Sequence, residues 1–510
     1  MSAAIHEGRY HDGDLSLEAD VVVVGSGAGG AVVAALLAEA GQRVVVLEEG
    51  PHVPVAEIKT MRPSQHMRRA WRDGGMTVAI GVGDTPTINV TMGRAVGGSS
   101  IVTGAVCFRT PEHVLHDWSG RLGLRELDAK TLEPHFEEVE KAIHVEEVPA
   151  SMRSLSTRRF AEGAEKRGLV IEPLRRNTKD CNGCGRCNFG CPHGAKLSVD
   201  VTYLPRAVAA GAQIWSDCLV EKVSLSGGRA TGVTGTLLGR GGGLFRRARK
   251  LEVRAKRVVV AAGSYHTPLL LMRSGVGARS GQVGRHMTLH PSFRMFARFD
   301  ERIEGWRGAL QSAYSRSLEK EGITLIGLFV PAGVLAATMT GFGSDHVRRA
   351  ADVPHLAVFG GLIHDEGGGT VRRGPGREPL VTYRMAKEDR AKIPRVIRVM
   401  SEIFFEAGAR EVFPPILGQP GVTPDELAKL DLEHIPALKL ECSSQHPLGS
   451  ARMGISPDQS VVDPTGRTWD VEGLYVADGS IVPTSLGVNP QLTIMAMATR
   501  IAHGLRERRA

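Results

Sequence analysis

The sequence predicts an α/β fold in which a parallel-sheet domain, assembled from separated stretches of chain, carries a second domain inserted into it. Three observations lead there. An apolar, β-branched run at residues 19–24 (ADVVVV) passes straight into a glycine turn and an alanine-rich helix, 31–40. A similar run, 257–264 (RVVVAAGS), ends in another glycine turn far along the chain. From 291 to about 440 the pattern changes to longer strand-like runs such as 323–330 and 355–363. A domain that starts, pauses and resumes is discontinuous.

The first unit is the most informative. In residues 25–30, GSGAGG, Gly25 allows the tight turn, Gly27 lets backbone approach a pyrophosphate, and Gly30 lets the helix pack on the strand, with Ala28 counted among the cofactor-binding residues. The helix N-terminus offers free amides and a positive dipole end to phosphate. The helix closes at Gly41, a second strand follows at 44–47, and Glu48 stands where an acid binds a ribose hydroxyl pair. This is a Rossmann-like unit for an adenine dinucleotide, and by itself it does not separate FAD from NAD.

The rest of the chain follows in order. Residues 1–17 are polar and read as loose. A second glycine-rich loop lies at 93–100 (GRAVGGSS), and 112–170 carries apolar residues at helical spacing. A helix is expected at 201–212, two strands around 213–236, and a hairpin loop at 239–243. An amphipathic helix spans 387–407, and the chain ends in another helix.

Composition narrows the class. Apolar residues make up 42% and charged residues 23%, the balance of an ordinary globular protein. The net charge of +8 is spread along the chain, with one run, FRRARK at 245–250, read as a solvated hairpin tip, so nucleic acid is not the expected partner. No targeting segment and no run of about 18 apolar residues is visible, which places the chain in the cytoplasm with reduced cysteines unless they hold a metal.

Four of the seven cysteines, Cys181, Cys184, Cys187 and Cys191, spell C-x2-C-x2-C-x3-C-P, the spacing of bacterial ferredoxin loops. Three readings stay open: an iron–sulfur cluster giving a one-electron outlet, a structural zinc knuckle, or bare thiols holding a loop. A single cubane needs Cys191 to fold back, or help from Cys107, Cys218 or Cys442.

Several further blocks carry a family resemblance. They are 93–100 with Arg109 beyond it, 263–277 (GSYHTPLLLMRSGVG), 283–291 (VGRHMTLHP), 445–454 (QHPLGSARMG), 474–483 (LYVADGSIVP) and 487–500 (GVNPQLTIMAMATR). In this order they resemble the glucose–methanol–choline (GMC) oxidoreductases over nearly the whole chain. The wording of the HPLG and GVNP blocks is nearest the cholesterol-oxidase and long-chain-alcohol-oxidase branch. Thr103 departs from the asparagine often found there.

The resemblance implies FAD as the dinucleotide, a discontinuous FAD domain (15–115, 195–290 and 441–510) and an inserted antiparallel-sheet substrate domain (116–180 and 291–440), with a cysteine-rich loop at 181–194. It implies that Gly97, Gly98 and Ser99 lie along flavin and pyrophosphate, that Val220 meets the adenine, and that Asp478, Gly479 and Pro490 stand near the flavin. It also implies oxidation of an alcohol to a carbonyl by hydride transfer to flavin N5. His446 is the expected proton acceptor, being basic near neutral pH, and Asn489 is expected to hold the alcohol oxygen. His266, His286 and His290 read as scaffold. Some GMC dehydrogenases carry a cysteine-ligated cluster near this loop, so a dehydrogenase is favoured over an oxidase. The alcohol is expected to be hydrophobic, with a sugar or polyol open; the acceptor, a quinone or redox protein, is not readable. The alternative is a flavin and iron–sulfur relay subunit.

Overall fold

The computed structural model describes residues 5–239, 249–277, 280–339 and 343–507. The hairpin loop and most of the basic run expected between 239 and 250 lie outside them. Two large sheets organise the chain.

The first sheet is centred on the strand Leu15–Val24, whose last four valines are all buried. On one side Val21–Val24 pair in parallel with Val44–Leu47, which pair with the strand Gln213–Ser216. On the other side Leu15–Val24 run parallel to the strand Arg249–Val260, whose end also pairs with Leu474–Val476. An antiparallel meander, Cys218–Ser226 and Arg229–Leu237, completes that edge. Runs of β-branched residues without polar alternation suit a sheet covered on both faces. The covers are the helix Ala28–Glu39, packed against Gln491–Glu507 and Tyr203–Ala209.

The N-terminal segment is not loose. His6–Glu7 add to the sheet beside Trp215–Ser216, and the His6 ring stacks on Trp215 at 4.5 Å. Polar composition hid this, because a short edge strand needs only backbone hydrogen bonds. The first helix also starts earlier than its alanine run, at Ala28. Three strands, not two, fill 213–237.

The second sheet has eleven strands and is mainly antiparallel. Its centre is Ser292–Arg298 against Leu356–Ile363, which pairs with Ile323–Gly327. The helix Lys387–Glu406 covers one face, burying Ile393, Val396, Ile397, Met400, Ile403 and Phe404. Val78–Gly81, Ile88–Val90 and Cys442–Ser444 also belong to this sheet, although the sequence places them within the dinucleotide-domain segments. These pieces are three or four residues long and too short for periodicity to show which sheet they join. They tie the two sheets together on either side of the glycine loop 93–100. Among the described residues no helix is long and apolar enough to cross a membrane.

The first helix approaches its neighbours backbone to backbone. A Cβ at Gly29 would collide with the Ala477 carbonyl, and one at Gly30 with the Gly25 carbonyl. Gly29→Val therefore forces helix and sheet apart. Overpacking of this kind costs about 1–3 kcal/mol, so the variant is expected to unfold at lower urea than wild type, with poorer flavin retention in the purified protein.

Candidate active site

A long cleft of about 1330 Å³, counting its open mouth, runs between the first sheet and the second. Both Glu48 and His446 line it. Gly25, Gly27, Ala28, Gly98, Ser99, Val220, Asp478, Gly479 and Pro490 line it, so residues from all three sequence segments converge there. Gly30 and Gly97 stand behind the wall, Gly30 packing the helix and Gly97 giving its N–H to Ser26 Oγ at 3.0 Å.

The glycines divide their work. Gly25 turns at φ +100, where a Cβ would strike the Ala261 carbonyl. A Cβ at Gly27 would meet nothing closer than 3.8 Å, so that position keeps open space on the cleft side. The helix it opens has no side-chain cap, which leaves its first amides to an anion. An uncapped helix end, bare backbone and a buried acid fit a dinucleotide diphosphate with its ribose.

Glu48 is buried. Oε2 accepts from Ser26 N at 3.1 Å and Ser26 Oγ at 2.7 Å, and Oε1 from Gly50 N at 2.9 Å. Burial pushes its carboxyl above the usual range, against the pull of these bonds. Val220 lies on the opposite wall, where the antiparallel ladder is interrupted before Lys222. Asp478 is a clamp as well as a wall residue: Oδ2 accepts from Gly263 N at 2.8 Å and Thr267 Oγ1 at 2.5 Å, and Oδ1 from Ser480 N at 2.7 Å. It joins the second glycine turn to the C-terminal one.

His446 is buried, with its backbone N–H on Ser444 Oγ at 3.0 Å. The Asn489 side-chain amide is 3.1 Å from His446 Nε2, and Asn489 Oδ1 is buried with no described partner. His446 Nδ1 lies 3.2 Å from Nδ1 of His290. Burial first, then the neighbouring His290, holds the His446 imidazole well below its usual range. Burial holds His290 down at about 3. Both rings are neutral near pH 7.

His290 is the residue that sequence reasoning set aside. It sits at φ +49, a left-handed conformation unusual for a residue with a Cβ. Asp365 holds it there: the carboxylate accepts from His290 N and Leu289 N, both at 3.0 Å, from Ser485 Oγ at 2.9 Å and from Tyr383 Oη at 2.5 Å. His290 Nε2 in turn accepts the backbone N–H groups of Leu486, at 2.9 Å, and Gly487, at 3.1 Å. No local motif announces contacts between residues 290, 365, 383 and 486. Of the other histidines, His266 lines the cleft bonded to Glu378 at 2.8 Å, and His286 is bonded to Gln282 at 2.7 Å. Arg109 is away from the cleft, paired with Glu133 and Glu140. Thr103 Oγ1 reaches Gln491 at 3.3 Å, tying the glycine loop to the terminal helix.

The cysteine loop packs on the back of that glycine loop. Lys196 Nζ bonds the carbonyls of Ser100, Ile101, Thr103 and Cys187, and Trp71 stacks on Phe189 at 5.3 Å. Four thiolates on one zinc ion, each about 2.3 Å from it, stand about 3.8 Å apart. Among the described residues the trio of ligand atoms gathered within 4.8 Å is His135, Glu138 and His503, not the cysteines. Cys107, Cys218 and Cys442 are committed elsewhere, Cys107 to Ala105 O, Cys218 to Ser216 O and Cys442 to a strand of the second sheet. Burial pushes each of these thiols up to about 12.

A dinucleotide cleft lined by a buried histidine with an amide against it defines a nucleotide-dependent oxidoreductase. The chain belongs to the GMC oxidoreductase family, a family of FAD flavoproteins: the family's N-terminal model matches residues 19–292 and its C-terminal model 369–498. It is 38% identical over 490 residues to an uncharacterized GMC-type oxidoreductase of Mycobacterium tuberculosis, covering 95% of this chain and 75% of that one. It is 30% identical over 533 residues to a long-chain-alcohol oxidase of Arabidopsis thaliana, covering 97% and 68%. In fold it is similar to pyridoxine 4-oxidase from Mesorbium loti (TM-score 0.73, 20% identity, 96% and 100% covered) and to a formate oxidase variant from Aspergillus oryzae (TM-score 0.75, 16% identity, 96% and 98% covered).

The neutral histidines carry a pH signature. A buried imidazole that stays neutral binds fewer protons than the unfolded chain once pH falls below about 6.5. Its contribution to stability is complete above that value and is lost as pH falls through the depressed folded value, about 3 for His290. Urea denaturation is expected to show stability falling from pH 6.5 to 4.5, with a shallower slope in His290→Asn.

Proposed function

We propose that this protein oxidises a primary or secondary alcohol to a carbonyl, with FAD as the electron acceptor in the cleft. The observation that carries the reading is the meeting of His446 Nε2 and the Asn489 amide at 3.1 Å, in a cleft whose other residues suit ribose and diphosphate. Bound FAD supplies a two-electron acceptor for the hydride leaving the alcohol carbon. Gly25, Gly27, Ala28, Gly97, Gly98 and Ser99 would hold its diphosphate and flavin, Glu48 its ribose, and Val220 its adenine. Asp478, Gly479 and Pro490 would border the ring.

His446 and Asn489 take the hydroxyl. The amide fixes the oxygen, and His446 exchanges its proton through Nε2. Positioning a hydroxyl between two groups held in a buried frame replaces a search over orientations with one geometry. Burial keeps His446 neutral, and a neutral imidazole accepts a proton at whichever of its nitrogens is bare. The similarity to long-chain-alcohol oxidases supports a hydrophobic alcohol.

A second reading concerns the outlet for electrons. Arg176 is buried, its guanidinium bonded to Gly104 O and, at 2.9 Å, to Cys187 Sγ. Neither Arg176 nor buried Lys196 has a salt bridge to a described carboxylate. Arg176 at Cys187 Sγ and Lys196 at Cys187 O set two cations against the loop, charges that would complement the thiolate ligands of a cysteine-ligated iron–sulfur cluster. A multi-iron cluster spreads its cysteines wider than a single zinc does. With such a cluster the enzyme is a dehydrogenase passing single electrons onward.

Anaerobic mixing with an alcohol panel tests the first reading. Long-chain or sterol alcohols are expected to bleach the flavin spectrum without any added partner, and His446→Ala is expected to slow that bleaching by about 10²–10⁴-fold. An unchanged spectrum across the panel counts against alcohol oxidation and leaves the relay-subunit reading. Iron and acid-labile sulfide analysis of anaerobically purified protein tests the second. Both are expected in stoichiometric amounts and to be lost in Cys187→Ser; protein that holds flavin but neither element overturns it.

A further inference from the structure

We propose that His290 is a positioning residue that decides which nitrogen of His446 carries the proton, so that His446 meets a substrate oxygen as a hydrogen-bond donor at Nε2. The proposal takes its catalytic meaning from the alcohol reading above, but its geometry is independent of it.

The accounting starts from groups whose roles are fixed. Backbone amides only donate, and the N–H groups of Leu486 and Gly487 both point at His290 Nε2, at 2.9 and 3.1 Å. That nitrogen must therefore be bare. A neutral imidazole has one N–H, and in His290 it is left to Nδ1. The atom facing it, 3.2 Å away, is Nδ1 of His446. His446 Nδ1 is then the acceptor, and the proton of the neutral His446 ring belongs on Nε2.

The next link fits once the Asn489 amide is turned over. The two ends of a side-chain amide have the same shape, so the hydrogen-bond network decides which end is oxygen. As placed, Asn489 Nδ2 lies 3.1 Å from His446 Nε2, two donors facing each other in this tautomer; with the amide turned over, its oxygen faces Nε2 and the N–H gains an acceptor. The buried Asn489 oxygen, otherwise without a described partner, gains a donor. One polarity thus runs from the amides of residues 486 and 487 through His290 and His446 to Asn489. Asp365 stands outside this chain of rings: it binds His290 through the backbone N–H and holds the residue in place.

The opposite polarity puts the His446 proton on Nδ1 and forces the His290 proton onto Nε2, directly against two amide donors. It loses two hydrogen bonds and leaves three buried N–H groups facing one another. A bare Nε2 on His446 is consequently the minor tautomer. The hydroxyl proton is accepted there only by molecules in which His290 has released the two amides.

Nitrogen NMR of the full-length protein labelled with ¹⁵N-histidine reads this directly, with the signals assigned by their loss in His446→Gln and His290→Asn. In wild type His446 is expected to be protonated on Nε2 and bare on Nδ1, and His290 the reverse. In His290→Asn, whose amide can either accept from or donate to Nδ1, His446 is expected to lose its preference and show both tautomers in exchange. A wild-type His446 protonated on Nδ1 overturns the proposal. So does an Nε2 preference that survives in His290→Asn, since a purely structural role for His290 would leave the tautomer unmoved. If the variant does not fold, the wild-type assignment alone decides. Because the measurement needs no substrate, failure of the alcohol panel would remove the catalytic meaning and leave the tautomer result standing.

Discussion

The contact of bare backbone with bare backbone at the first glycine turn is the constraint on which the other features depend. Gly25 lies against the Ala261 carbonyl, Gly29 against that of Ala477, and Gly98 against Gly27. Each contact excludes even a methyl group. Together they bring the amino-terminal turn, the glycine loop at 98, the turn after Val260 and the carboxy-terminal turn into one wall. The strand Leu474–Val476 joins the same sheet beside Val258–Val260, and His446 lines the cleft with Asn489 against it. Asp478, bonded to Gly263 and Thr267, secures the join with a buried carboxylate that accepts three described hydrogen bonds. An unpaired acid at such depth would be neutral or strongly destabilising, so the clamp works only while all of its donors are in place.

The chemical site is built by the same rule with different groups. Asp365 is buried and accepts from two backbone amides, a serine and a tyrosine. That set of donors lets it hold His290 in a left-handed backbone conformation, a strain that normally persists only where surroundings impose it. The strain has a product. It turns the His290 ring so that one nitrogen is capped by the chain just before Asn489 and the other faces His446. Both residues expected to touch substrate are therefore fixed by one piece of chain, residues 486–489, acting through two routes.

How much of this was legible follows from the distance over which each signal acts. The Gly25–Gly30 turn, the strands beside it and Glu48 announce themselves within one short stretch, and the helix Lys387–Glu406 is written in its own apolar spacing. That His446 and Asn489 meet was expected because both lie inside long motifs. His290 lay inside one as well, yet its part depends on Asp365 and on amides of residues 486 and 487, and a backbone amide has no side-chain identity to read. The strands Val78–Gly81, Ile88–Val90 and Cys442–Ser444 failed for a related reason: a strand of three or four residues is defined by its partner more than by its own pattern. His6–Glu7 is the extreme case, a two-residue strand recognisable only once Trp215 is beside it.

The glycine loop has two faces, and this shapes what the cysteine loop can do. Gly98 and Ser99 look into the cleft, while the carbonyls of Ser100, Ile101 and Thr103 point back to Lys196, which also holds Cys187 O. Burial lowers the proton affinity of this ammonium to about 8 against the pull of the nearby Cys187 and the buried Asp200. Arg176 adds a second positive charge whose side-chain partner is a sulfur. Charge placed on the sulfur loop would therefore stabilise both cations and tighten the loop that lines the cleft. Loss of that charge would loosen the same carbonyls from behind. The wall of the cleft and the platform under the cysteines are the two sides of one short segment, so a charge placed on the cysteines would act on the cleft through residues 98–103.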